Sequence, residues 1–218
     1  MRRVVVPALF LTLLPLTGSH AGPNEGGILV IHGDPELDVW PTMGCEAFEI
    51  PETCFELDPQ AHPFQGGDVY SCLVLMAFPP GTEPEVSQLA FGLGDYDVSQ
   101  GYLIGEPCLP GALELPTSGW PGPGEGTAVA WDPECLTGSL EPVYLFVFYA
   151  DTDNPQLQIP LDAHPEMPGM FMSCTPPLEV DEIEDYGVIG IGMEGMNPCQ
   201  APTATGATTW GAIKKIYR

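Results

Sequence analysis

The apolar residues of this chain fall into short runs, most of them closed by proline or glycine. In order they are "GILVIHG", "DVYSCLVLMAF", "VSQLAFGLGDY", "GYLIG", "GALELP", "GTAVAW", "VYLFVFYA", "PQLQIPL", "GMFMSC" and "YGVIGIGM". The second is the clearest core strand. In the third, Val86, Leu89, Phe91 and Leu93 are the apolar positions, and from Leu89 onward they alternate with the period of two of a half-buried strand. No stretch before residue 200 keeps an apolar 3.6 period for three turns. Clusters such as "GWPGPGEG" and "DTDNP" punctuate the runs as turns. Short strands at fairly regular spacing predict an all-β fold over residues 22–200, an antiparallel β-sandwich or barrel.

Composition supports folding. Glycine and proline number 26 each, a share that approaches disordered chains, but 44% of residues are hydrophobic. That is ample apolar surface to offset chain entropy.

The two ends differ from the body. "MRRVVVPALFLTLLPLTGSHA" has a basic start, an apolar stretch from Val4 to Leu16 and small residues at Ser19 and Ala21. It reads as a secretory signal peptide over residues 1–21, cleaved after Ala21. No cysteine near that junction offers a lipid anchor, and no later apolar run approaches the ~18 residues of a membrane helix. At the other end "QAPTATGATT" is a small-residue linker. Residues 201–218 therefore read as a linker and basic tag, carrying Trp210, Gly211, Ile213, Lys214, Lys215, Tyr217 and Arg218. On a helix Trp210, Ile213 and Tyr217 share one side, with the cations around much of the rest. The expectation is a sorting or attachment signal, with docking on the chain's own body as the alternative.

Charge narrows the partners. The chain holds 30 Asp and Glu against five Lys and Arg, a net charge of −25. Arg2 and Arg3 leave with the signal peptide, so the only cations of the exported chain are Lys214, Lys215 and Arg218. Nucleic acid is excluded, because phosphate binding needs Lys and Arg. An anionic membrane is excluded for the body too. The acidic run "EVDEIED" reads as a solvated loop.

Seven cysteines in an exported chain read as a disulfide framework with one left over. Proximity favours Cys45–Cys54, Cys108–Cys135 and Cys174–Cys199, with Cys72 free inside the most apolar strand. No C-x-x-C occurs, so zinc and redox readings are weak.

Catalytic signals are absent from the sequence. It holds no G-x-S-x-G and no H-E-x-x-H, and His32, His62 and His164 are widely spaced. The body has no Lys or Arg to clamp an oxyanion. A calcium loop is the sharper alternative. "DYDVSQGYLIGE" sets Asp95, Asp97, Ser99 and Glu106 at its positions 1, 3, 5 and 12, but Gln100 stands where the turn needs glycine.

"ELPTSGWPGPGEGTAVAW", "LEPVYLFVFYA", "YGVIGIG" and the Trp-Gly-x-Ile-Lys-x-x-Tyr-Arg tail together resemble a group of uncharacterised secreted bacterial proteins. The resemblance implies export, a β-rich domain and a recurring tail, and nothing about chemistry. The "VSQLAFGLGDY" strand is also similar to one of cohesin-type sandwiches, a likeness of fold that makes a disulfide-stabilised, Ig-like or cohesin-like β-sandwich the expected type and implies no dockerin binding. The expected protein is a secreted, non-enzymatic binding or structural module, extracellular or at a bacterial cell surface, that meets export or attachment machinery through its tag. A calcium-binding module and a secreted hydrolase are the alternatives.

Overall fold

The computed structural model describes residues 22–33, 44–61, 67, 69–131 and 133–200. The signal segment, His62 and the tag residues Trp210, Gly211, Ile213, Lys214, Lys215, Tyr217 and Arg218 lie outside the described residues.

The strands are β1 (Ile28–Gly33), β2 (Gln60–Ala61), β3 (Val69–Ala77), β4 (Gln88–Leu93), β5 (Gly101–Pro107) and β6 (Leu113–Pro116), then β7 (Gly126–Ala130), β8 (Leu140–Ala150), β9 (Leu157–Asp162), β10 (Met170–Met172), β11 (Val180–Glu182) and β12 (Val188–Ile191). They form two sheets. The first has the order β1-β3-β8-β5. The second runs β11-β10-β4-β9-β12-β2, with β7 also on β4 and β6 at the edge beyond it. All these pairings are antiparallel except β2 with β12. The fold is an antiparallel β-sandwich, cross-linked by disulfides.

The alternation in β4 does what the pattern predicts. Leu89, Phe91 and Leu93 enter a core between the sheets, where Val74, Met76, Phe146, Phe148, Ile159 and Phe171 meet them. Each such side chain contributes ~1.5–3 kcal/mol on burial. In β8 the register slips opposite Val74 and Leu75, which pair with Tyr144 and Pro142. That bulge accommodates Pro142, which has no N–H for the ladder.

β3 is buried on both faces. Leu73, Leu75 and Ala77 point away from the central core into a second cluster with Val30, Leu145, Val147, Phe48 and Leu57. The cover is the segment from residue 44 to 58, which makes two 3-10 turns, Cys45–Ala47 and Cys54–Glu56. Phe48 and Leu57 pack it onto the sheet, and two disulfides fasten it.

The pairing is Cys45–Cys108, Cys54–Cys199 and Cys135–Cys174, which corrects all three proximity pairs while joining the same six cysteines. Loop closure costs rise only with the logarithm of length, so a near neighbour in sequence has little advantage. Folding decides instead. The cover carries Cys45 to Cys108 just past β5, and Cys54 to Cys199 beyond β12. Cys72 is free and buried, and burial pushes its thiol up to about 12, which leaves it inert.

A second correction concerns "EVDEIED". Residues 180–182 are strand β11, paired with β10, and Ile183 is buried. Ile183 alone of the run's apolar residues is buried, and Asp181 finds backbone donors in Gly22 and Asn24.

Candidate functional site

The proposed calcium ligands do not converge. Asp97 closes a local turn, its Oδ1 accepting from the Ser99 amide (2.9 Å) and hydroxyl (2.6 Å) and its Oδ2 from Gln100 Nε2 (3.2 Å). Those bonds hold its carboxyl below the usual carboxylate range. Gln100 turns its other bonds to the Gln156 backbone, and β5 then runs straight on. Glu106 is thereby carried roughly 16 Å along an extended strand from Gly101. Asp95, Asp97, Ser99 and Glu106 are not a calcium loop, and among the described residues no three His, Cys, Asp or Glu gather to hold a metal.

The two described histidines serve loops. His32 Nδ1 accepts the Asp58 amide at 3.1 Å, and His164 Nδ1 accepts that of Glu166 at 3.2 Å. Burial lowers the His164 pKa, which keeps that nitrogen free to accept.

A polar network crosses one end of the core. Glu114 Oε1 accepts from Thr127 Oγ1 (2.9 Å) and Tyr144 Oη (2.8 Å), and Tyr144 Oη accepts from Trp120 Nε1 (2.8 Å). Burial pushes the Tyr144 phenol well above its ordinary range, so it stays a donor. Tyr144 passes so close to β5 that a Cβ on Gly105 would lie 2.5 Å from its ring. The loop carrying Trp120 is held by Tyr96 Oη on the Pro121 carbonyl (2.8 Å) and by Thr117 on Glu125 (2.5 Å). The sequence marked "GWPGPGEG" only as a turn. A Trp within a Pro-Gly loop, near a Glu in an apolar strand, was the available signal.

The network orients β6. With Glu114 drawn inward, Leu113 and Leu115 must point out, where they are 60% and 63% exposed. Register extends the same outward face across four more strands. One row reads Leu113, Ala130, Gln88, Met172 and Val180, the next Leu115, Ala128, Ala90, Met170 and Glu182. Their alternates Val129, Leu89 and Phe171 fill the core, which turns these ten to the other side of the sheet; there Ala90 is still fully buried, Ala128, Ala130, Met170 and Met172 are half-buried, and Leu113, Leu115 and Val180 are the exposed apolar members. All but Gln88 and Glu182 are apolar. On the other half of the sheet the outward residues of β9 include exposed Gln158 and Asp162. An apolar face confined to β6, β7, β4, β10 and β11 is a surface suited to a protein partner. No helix among the described residues is long and apolar enough to cross a membrane.

No protein-family model matches the chain, and no curated protein matches it. Solved structures similar in fold include three cohesins. One is a cohesin module from a Clostridium perfringens family 33 glycoside hydrolase, with TM-score 0.49 and 10% identity, covering 78% of this chain and 99% of that one. Another is the seventh ScaB type I cohesin of Pseudobacteroides cellulosolvens, at 0.43 and 12%, covering 61% and 86%. The third comes from a Clostridium thermocellum type I cohesin–dockerin complex, at 0.42 and 10%, covering 75% and 93%. At these scores no residue and no partner is carried across to this chain.

Proposed function

We propose that this protein is an exported, non-catalytic binding module that takes a protein partner on the outward face of β6, β7, β4, β10 and β11. The contiguity of Leu113, Leu115, Ala128, Ala130, Met170, Met172 and Val180 across that face carries the reading. The body lacks Lys and Arg throughout residues 22–200. A partner with an apolar strip rimmed by Lys or Arg therefore fits best, since like charges across an interface repel and opposite ones steer association. The test places a photo-reactive side chain at Leu115 in the producing cell, with Gln158 as control. A discrete adduct at 115 alone, lost with Leu113→Asp, is expected. Equal labelling at both positions, or none, overturns the face.

In the same reading, residues 210–218 are the sorting or attachment tag, joined to the body through the small-residue linker. Their resemblance to a recurring tail of secreted bacterial proteins supports this, as does the segregation of every mature cation there. Deleting residues 209–218 is expected to leave the melting temperature unchanged and release the protein from the cell surface. Grafting residues 201–218 onto an unrelated exported domain should relocate it. A destabilised deletion together with a graft that stays with its untagged control would make the tail a segment docked on its own body.

A further inference from the structure

The turn that opens the described chain is built with more bonds than a loose end needs. Asn24 is fully buried, and its side-chain amide meets the Glu85 backbone twice, Nδ2 to the carbonyl at 3.1 Å and Oδ1 from the amide at 2.9 Å. The Gly27 amide closes the turn on the Asn24 carbonyl at 3.2 Å. Just beyond, the Glu184 amide donates to the Gly27 carbonyl at 2.9 Å, tying the turn to the chain after β11. At its head the Gly22 nitrogen donates to Asp181 Oδ1 at 2.9 Å, and the Asn24 nitrogen to Asp181 Oδ2 at 3.0 Å. Gly22 sits so close to this carboxylate that a Cβ there would push the Asp181 side chain aside.

The Gly22 nitrogen is also the one that cleavage after Ala21 would free. Hydrolysis adds water across the Ala21–Gly22 peptide bond, leaving a carboxylate on Ala21 and an amine on Gly22 that takes up a proton at neutral pH. One amide hydrogen becomes three on a charged group. Residues 22–200 contain no Lys or Arg, so no side chain of the body other than histidine can neutralise Asp181.

We propose that Asp181 is a receptor for the new N-terminal ammonium, so that removal of the leader completes the fold with an ion pair. The pair fastens the N-terminal turn to β11, at the edge of the sheet that carries the docking face. A charge-assisted bond of this kind is stronger than the amide bond it replaces, and both groups are half-buried, which limits solvent screening. The proposal rests on the export reading and can fail separately from it.

The experiment compares the full mature chain beginning at Gly22 with one that keeps Ala21, each with Asp181 and with Asp181→Asn. The chain beginning at Gly22 should melt above its extended form by about 2–4 °C, the shift typical of one such bond in a domain of this size. Asp181→Asn should erase the difference. Acetylating the Gly22 amine should reproduce the loss without touching Asp181. Equal melting of the two N-terminal forms, or a difference that survives Asp181→Asn, overturns the ion pair. N-terminal sequencing of the exported protein reads the other half: a start anywhere but Gly22 overturns the link to leader removal, whatever the melts show.

Discussion

Replacing Cys54 and Cys199 together by serine should lower stability by about 4 kcal/mol, the chain-entropy cost of reopening a loop whose shortest remaining covalent path is about sixty residues. The two cysteines stand 145 apart in sequence. The other two bridges already shorten the unfolded chain between them, so the full separation would overstate the effect. The estimate belongs to the unfolded state, whereas the native consequence is local. Asn197 Nδ2 donates to the carbonyls of Cys54 (2.8 Å) and Leu57 (3.1 Å), and these bonds would fray with the bridge. Thermal melting of the non-reduced proteins measures the loss, expected on the order of 10 °C. Melting within a degree of the parent would mean that the cover over β3 holds by packing alone.

Phe91→Ala should cost roughly 3–5 kcal/mol, the range for emptying a buried phenylalanine site. Phe91 is fully buried and meets Trp120 and Tyr144 edge-on at 5.5 Å, with Phe146 at 6.5 Å. These rings are tied through the Trp120–Tyr144–Glu114 bonds and have little freedom to collapse into the space. A site that relaxes poorly lies at the upper end of the range. Tyr144→Phe, which keeps the volume and leaves Trp120 Nε1 without its acceptor, should cost less, about 1–3 kcal/mol. Denaturant unfolding of both ranks them, and a Phe91→Ala loss below that of Tyr144→Phe would show that hydrogen bonds rather than ring packing hold this end of the core.

What the sequence disclosed was periodic. The alternation from Leu89 to Leu93 identified β4 and its inward face, because a strand's two sides are written in consecutive residues. The apolar run around Cys72 marked a core strand and its thiol as buried. Relations between distant residues were not written there. Cys45 meets Cys108 because residues 44–58 fold over a sheet, which no local pattern encodes. β11 was hidden because acidic residues around Val180 and Ile183 imitate a solvated loop. The candidate face escaped for a related reason. Leu113, Leu115, Met170 and Val180 are each ordinary in their own segments, and only the register of five strands assembles them.

The bridge from Cys199 to Cys54 also determines how the fold carries tension. A pull on the chain beyond Gln200 enters at Cys199 and passes through sulfur to Cys54, where Gln200 Nε2 on the Phe55 carbonyl (2.7 Å) adds a parallel tie. Without the bridge the same pull would peel β12 from β9 one ladder bond at a time, starting near Ile191. With it, the load reaches the layer over β3 and spreads across Phe48, Leu57 and the strands beneath, which must slide together rather than unzip singly.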